Sequence, residues 1–98
     1  MKAWQLIEKE ENWCKGYTAL NSSGKFVYPE SPDAVKWCAI GAITKCYSTQ
    51  EGYIRVMENL QRLVGNRYMN DWNDTSTHAE IIAALQAAES PETPLPHS

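Results

Sequence analysis

The residues that could carry out covalent chemistry are one cysteine, one histidine and two nearby carboxylates. Cys38 lies in the segment Trp-Cys-Ala-Ile-Gly-Ala, and a cysteine near a helix N-terminus can have a lowered pKa and act as a nucleophile. His78, together with Asp71 or Asp74, could supply a general base and the group that orients it. The helix predicted around Cys38 begins at Ser31, however, well before the cysteine, and burial on its apolar stripe raises a thiol pKa. The sequence therefore favours Cys38 as a small core residue, and a cysteine-dependent hydrolase is the least favoured function.

Metal binding and acid–base chemistry have less support in the spacing. The three cysteines and His78 show none of the close C-x₂-C or H-x₃-H spacings that preorganise a zinc site, so we predict no metal and no cofactor. Asp71 and Asp74 flank Trp72 and could act as an acid–base pair, but in loops such residues more often cap helices and build turns. No glycine-rich phosphate loop, nucleophile elbow or Ser-x-x-Lys motif occurs. We therefore predict no catalytic residue.

The aromatic residues carry a stronger signal. Four tryptophans and five tyrosines stand against a single phenylalanine, and Trp and Tyr prefer partly wet places such as pockets and interfaces. Those in or beside predicted loops are Trp13, Tyr17, Tyr28, Tyr68 and Trp72. Exposed, they form a binding patch; folded back, they cover the small core, and the sequence leaves both readings open. The candidate binding residues are Trp13, Tyr17, Tyr68, Asp71, Trp72, Asn73 and Asp74.

A mainly α-helical domain must position these residues, and we predict a compact four-helix domain with a small two-stranded β-hairpin after the first helix. The first helix is predicted over roughly 2–13, and the hairpin over 17–28 around the turn Asn-Ser-Ser-Gly. Ser31-Pro32-Asp33 combines a capping hydroxyl, a proline at the first helical position and an acid in the first turn, which predicts a second helix to about Lys45. Its apolar stripe makes it the predicted hub of the fold, and its Gly-Ala pair allows another element to approach closely.

Two further helices have capping signals. A capping box at Ser48 and Glu51 predicts a third helix to about Val64, with an outer face that alternates acidic and basic residues. Residues 67–76 read as a polar loop with large aromatics in it. A second capping box at Thr77 opens an alanine-rich last helix, which ends before residue 91.

Length and charge limit the possible partners. Ninety-eight residues suffice for one helical domain, predicted over 1–90, followed by a disordered C-terminal tail over 91–98. The net charge of −3 disfavours direct nucleic-acid binding, and no apolar run reaches the ~20 residues of a membrane span. Three cysteines without an export signal predict reduced thiols and a cytoplasmic protein. The acidic residues concentrate in 48–98, which indicates either a basic protein partner or an ordinary solvated face, and a homodimer is compatible with so small a domain.

Taken together, several spaced motifs resemble a family of small bacterial and phage proteins classified only as a domain of unknown function. The motifs are a first helix ending in Trp-x-x-Gly at 13–16, Ser-Pro-x-Ala leading into Trp-Cys-Ala-x-Gly-Ala at 31–42, Trp-Asn-Asp at 72–74, and a capped helix with Thr77 and Glu80. The family is common in actinobacteria and on mobile elements, and the resemblance spans the chain up to the tail. It implies the helical fold and a cytoplasmic location but no activity. Thr-Ser-Thr-His stands where a Gly-Arg-Thr-like stretch is expected, so if that basic position binds a ligand in the family, this chain lacks the contact.

The leading functional prediction is a non-catalytic interaction protein that binds and inhibits a host or defence-system protein. A phage gene is one source that the prediction includes. Small size, acidity and the share of Trp and Tyr support it. The alternative is a small-molecule binding protein, for instance for nucleotides. Its pocket would be walled by Trp13, Tyr17 and Trp72, with Asn73 and Asp74 as polar groups. The orientation of Trp72, inward or outward, bears directly on the choice.

Overall fold

The computed structural model describes residues 1–90, and the tail predicted over 91–98 lies outside the described residues. The elements in chain order are α1 (Ala3–Leu6), a 3₁₀ helix (Glu10–Asn12), β1 (Ala19–Leu20), β2 (Lys36–Trp37), α2 (Ala39–Cys46), α3 (Gln50–Val64), α4 (Met69–Thr75) and α5 (His78–Ala88). The predicted class is confirmed: the fold is mainly α-helical, with a two-stranded antiparallel sheet after the first helix. The described residues form five α-helices rather than four. None of these helices is long and apolar enough to cross a bilayer.

The core lies where α2 meets the helices around it. α3 packs along α5, while α2 contacts α1, α3, α4 and β2. The largest apolar side chains with no exposed surface are Ile7, Ile43, Leu60, Ile81 and Leu85. Burying each of them contributes about 1.5–3 kcal/mol to stability. The first half of α2 is thus the hub that the apolar stripe predicted.

The start of this central helix differs from the prediction. α2 begins at Ala39, not at Ser31. The serine instead closes a turn, in which its Oγ accepts a hydrogen bond from the N–H of Asp33 at 3.1 Å. The chain then runs extended, because the N–H of Val35 bonds to the carbonyl oxygen of Leu20 and β2 pairs with β1. Pairing with β1 outweighs the local helix-start signal.

The predicted hairpin is present as a turn, but its main partner strand is a different one. The N–H of Asn21 bonds to the carbonyl oxygen of Lys25 at 2.9 Å, and Leu20 lies opposite Phe26 in an isolated bridge. The longer pairing joins β1 to β2, with Leu20 opposite Lys36. β1 therefore lies between two chain segments, and we call 17–28 together with β2 the ribbon.

The ribbon packs tightly on α2 at one glycine. A Cβ atom added at Gly41 would lie 1.9 Å from the carbonyl oxygen of Thr18, a distance at which the backbone has to move. The N–H of Cys38 also donates to the same carbonyl oxygen at 3.2 Å. The predicted close approach of another element to the Gly-Ala pair is confirmed.

Two further segments differ from the prediction. The first helix covers only Ala3–Leu6, and the chain continues to Trp13 through the 3₁₀ helix. The predicted loop over 67–76 contains α4, which turns Trp72 and Asn73 into the core. Its polar sequence hides the helix, because one of the two inward residues is an asparagine rather than an apolar side chain.

The capping box predicted for the last helix is present, whereas the cap of α3 differs from the predicted Ser48. α3 is capped by Thr49, one residue after the predicted cap, whose Oγ1 accepts from the N–H of Gly52. The box at the start of α5 is complete: Thr77 Oγ1 accepts from the N–H of Glu80, and the Glu80 carboxylate accepts from the N–H of Thr77. Leu63, near the end of the apolar stripe of α3, is half exposed.

Candidate functional site

Asn73 is the centre of a buried hydrogen-bond network that joins three parts of the chain. Its side chain projects from α4 and is 1% exposed. The Oδ1 atom accepts hydrogen bonds from Trp13 Nε1 and from the backbone N–H of Ala39, both at 2.9 Å. The Nδ2 atom donates to the carbonyl oxygen of Cys14 and to Asp74 Oδ1, both at 3.1 Å. The whole hydrogen-bonding capacity of the amide is used within the protein.

The neighbours of Asn73 in the Trp-Asn-Asp motif also hold the chain together. Trp72 points inward and belongs to the apolar core. Asp74 Oδ1 accepts from the N–H of Gly16 at 2.9 Å, and this glycine has the positive φ of +84° that other residues rarely adopt. Of the seven predicted binding residues, Trp13, Trp72 and Asn73 are buried, Asp74 is half-buried, and Tyr17, Tyr68 and Asp71 are exposed. The motif acts as a clamp between α4, the loop after the 3₁₀ helix, and α2.

Cys38 is buried, as predicted, but it is the N-cap residue of α2 rather than a residue inside a helix. Its Sγ accepts a hydrogen bond from the N–H of Gly41 at 3.3 Å. Burial raises the pKa of the Cys38 thiol, and it outweighs the lowering by backbone hydrogen bonds. His78 binds elsewhere: its Nε2 lies 2.7 Å from the carbonyl oxygen of Ile7, and its ring lies 5.6 Å from that of Trp13. An enclosed, protonated thiol is a poor nucleophile.

The space beside the clamp is small. A cavity of about 120 Å³ is lined by Gly16, Tyr17, Thr18, Cys38, Asn70, Asn73 and Asp74. Pockets for drug-sized ligands measure roughly 300–1,000 Å³. Because Trp72 also fills the core rather than a pocket wall, the geometry at this position does not favour the predicted nucleotide site.

A buried carboxylate at the end of α5 is an interaction that sequence reasoning missed. Glu89 accepts hydrogen bonds from the N–H groups of Ala3 and Trp4, at 2.7 and 3.0 Å, and from the hydroxyl of Tyr47. Lys2 Nζ donates a hydrogen bond to the backbone carbonyl oxygen of Glu89 at 3.2 Å. The carboxylate thereby binds the first turn of α1 to the end of α5. A cavity of about 580 Å³ adjoins these groups, and charges of both signs line it.

The outer face of the ribbon exposes three aromatic rings next to one another. Tyr17, Phe26 and Tyr28 are 56%, 52% and 73% exposed. The ring centroids of Tyr17 and Phe26 are 6.5 Å apart, and those of Phe26 and Tyr28 are 5.6 Å apart. Both separations lie within the range of about 4.5–7 Å that aromatic pairs prefer. We call these three residues the aromatic face.

Three lysines lie in or next to the ribbon, and one of them is on the same side as the aromatic face. Lys15, Lys25 and Lys36 are all exposed. Directly opposite residues of paired strands share a face of the sheet, so Lys36 and Phe26, which both lie opposite Leu20, are on the same side of the ribbon. The ribbon is therefore apolar and cationic, although the chain as a whole is acidic.

Sequence reasoning predicted only part of this face. Tyr17 was a candidate and Tyr28 was placed beside a loop, but Phe26 was assigned no role. The signal that could have found it is the alternation of Phe26 and Tyr28 after a tight turn, which puts both side chains on one side of an extended segment. Tyr68, the most exposed tyrosine at 81%, makes no ring contact among residues 1–90.

The fold and the site together define a small α-helical domain in which the motif residues clamp the chain and a ribbon presents an aromatic face. The chain belongs to the family of unknown function DUF6197, whose model matches residues 1–90. Membership of an uncharacterised family, implied by the motifs, is thereby confirmed, whereas an actinobacterial or phage origin stays a prediction. No curated protein and no solved structure matches the chain.

Proposed function

We propose that this protein is a non-catalytic domain that binds a partner protein through the aromatic face of its ribbon. The observation that carries the proposal is the exposure of Tyr17, Phe26 and Tyr28, each more than half open to solvent and in ring contact with the next. Aromatic side chains dominate the binding energy of protein interfaces when a partner covers them. Contiguous exposed apolar patches on a small domain commonly mark interaction sites.

The sequence candidates for chemistry support binding rather than catalysis. Cys38 is enclosed and its thiol has a raised pKa, and the amide of Asn73 is fully occupied by the protein's own groups. Both residues stabilise the fold, and this structural role is sufficient to explain why they are there. The aromatic face has no such explanation, since leaving large rings in water contributes little to folding.

The partner that fits this face is acidic. The chain from Trp13 to Pro29 holds two lysines and no carboxylate, and Lys36 adds a third positive charge on the same side as Phe26. The acidic second half of the chain left open a basic partner or an ordinary solvated face, and the aromatic face lies in the other half. Complementary charge across an interface accelerates association and selects partners. Because the net charge of the chain is −3, an acidic protein is favoured over nucleic acid as the partner.

The proposal is tested with peptides selected by the protein from a library of random twelve-residue sequences. Replacing Tyr17, Phe26 and Tyr28 together by serine is expected to weaken binding of a selected peptide at least 100-fold, because the rings are the main apolar contacts. Tyr68→Ser is the matched control, with an expected change of less than twofold. Both dissociation constants are measured by titration calorimetry on proteins whose circular dichroism spectra match the parent.

Unchanged affinity of the triple variant would show that the peptide binds elsewhere and would overturn the proposal. Inhibition of a host or defence-system protein, and action in the cytoplasm, belong to the same proposal. They are tested by measuring the activity of any protein that contains a selected sequence, with and without this domain.

A further inference from the structure

The outer edge of the ribbon carries backbone groups that no described residue binds. The N–H of Asn21 bonds to the carbonyl oxygen of Lys25, and the N–H of Val27 bonds to the carbonyl oxygen of Ala19 at 3.2 Å. Leu20 and Phe26 are therefore a non-hydrogen-bonded pair of the antiparallel ladder. In such a pair the N–H and C=O of Phe26 point away from β1.

The same geometry repeats two residues later. Tyr28 follows Phe26 with one residue between them, so its N–H has the same outward direction. Its carbonyl oxygen already accepts from the N–H of Ser31 at 2.9 Å. The edge therefore offers two donors and one acceptor in a row, beside the exposed rings of the same two residues.

We propose that the partner binds as an extended, acidic strand that pairs with the free edge at Phe26 and Tyr28. This inference rests on the proposed function and specifies the class of its partner. An open edge is a template for strand addition, in which backbone hydrogen bonds supply affinity and alternate side chains supply specificity. A strand on this edge would place every second side chain against the rings of Phe26 and Tyr28.

The residues next to the free edge determine how long the added strand can be and which charge it should carry. Pro29 has no N–H to donate, so the edge ends at Tyr28 and the paired stretch is only a few residues long. Lys25 immediately precedes the edge, and Lys36 is on the same face as Phe26. The short edge and the lysines together select a short strand with an apolar centre that is flanked by carboxylates.

A backbone substitution separates strand pairing from side-chain contact. Cys14 and Cys38 permit assembly of the 98-residue chain by ligation at the Trp13–Cys14 and Trp37–Cys38 bonds, with a synthetic segment 14–37 that carries N-methyl-Phe26. The methyl group removes the outward N–H and blocks the edge but keeps the ring. Because this N–H has no partner within the described chain, the fold is expected to persist.

The matched control is N-methyl-Ser22. Ser22 is the second residue of the turn closed by the bond from the N–H of Gly24 to the carbonyl oxygen of Asn21, a position that tolerates the loss of an N–H. The probes are the selected peptide, its version with Asp and Glu replaced by Lys, and its version with a central proline. Melting temperatures equal to that of the parent verify that both variants fold.

N-methyl-Phe26 is expected to weaken binding of the selected peptide at least tenfold and N-methyl-Ser22 less than twofold, with both altered peptides binding at least tenfold more weakly than the original. Binding by N-methyl-Phe26 within twofold of the parent, while the serine triple variant fails to bind, would overturn strand addition but leave the proposed function standing. Equal binding by all variants would overturn both. A dimer of the protein alone that N-methyl-Phe26 abolishes would assign the edge to a second copy and overturn the acidic partner.

Discussion

Replacement of Asn73 by alanine is expected to lower the free energy of unfolding by about 3–5 kcal/mol. The change leaves the indole N–H of Trp13, the N–H of Ala39 and the carbonyl oxygen of Cys14 without the partner that each has now. A buried polar group left without a partner costs about 1–3 kcal/mol. A domain of this size has a total stability of about 5–15 kcal/mol, so the loss is a large share. Urea denaturation followed by tryptophan fluorescence measures it.

Asn70→Ala is the matched control, since Asn70 lies on the same helix and is exposed. Its expected effect is within about 0.5 kcal/mol. Asn73→Asp tests the role of the amide nitrogen separately, because it retains an acceptor for Trp13 but loses the two donated bonds and adds a carboxylate beside Asp74. If Asn73→Ala unfolded at the same urea concentration as Asn70→Ala, the clamp would not stabilise the fold.

Replacement of Glu89 by alanine is expected to lower the free energy of unfolding by about 3–4 kcal/mol. The carboxylate accepts hydrogen bonds from the N–H groups of Ala3 and Trp4 and from the hydroxyl of Tyr47, and hydrogen bonds to a charged group contribute about 1.5–3 kcal/mol each. Its loss releases the N-terminal turn from the end of α5. Glu58→Ala on the exposed face of α3 is the control, with an expected change within about 0.5 kcal/mol.

The pH dependence of stability gives an independent check on the same site. Burial, and then the hydrogen bond to Glu89, raise the pKa of the Tyr47 hydroxyl above its ordinary value of 10.0. A group whose pKa is raised by folding contributes stability that is fully present below its unfolded pKa and is lost as the pH rises beyond it. The free energy of unfolding should therefore fall above pH 10, and Tyr47→Phe should fall less steeply. Equal slopes for the two proteins would mean that folding does not raise the pKa of the Tyr47 hydroxyl.

Elements whose signals are local could be predicted from the sequence. α3 and α5 have capping residues next to the first turn and an apolar stripe, and both helices begin within two residues of the prediction. The turn at 21–25 was likewise found from its glycine and asparagine. In these segments the local preference and the tertiary contacts agree, which is why the pattern alone is sufficient.

Elements decided by distant contacts could not be predicted. The residue types at Ser31 favour the start of a helix, but the pairing of β2 with β1 keeps the chain extended as far as Cys38. Trp72 and Asn73 read as loop residues because a buried asparagine cannot be told from a solvated one without its partners. The groups that form hydrogen bonds with the Asn73 side chain lie about 35 to 60 positions away in the chain.

The candidate site divides in the same way. The sequence singled out the Trp-Asn-Asp motif, and in the structure its asparagine is the centre of a buried hydrogen-bond network rather than a group lining a ligand-sized pocket. The aromatic face needed the structure, because Tyr17 meets Phe26 only after the turn brings two segments together. Glu89 was missed because an acidic residue at a helix end near the tail ordinarily stays in water.

The central claim is that binding occurs on the ribbon while the motif residues serve the fold, and one titration tests it most directly. A selected peptide is added to ¹⁵N-labelled protein, and the amide signals, the Trp13 indole signal and the Asn73 side-chain NH₂ signals are followed by nuclear magnetic resonance. We predict shifts confined to residues 15–28 and 36, with the largest at Phe26 and Tyr28. Dominant shifts of the Trp13 indole and the Asn73 amide, with an unperturbed ribbon, would contradict the account.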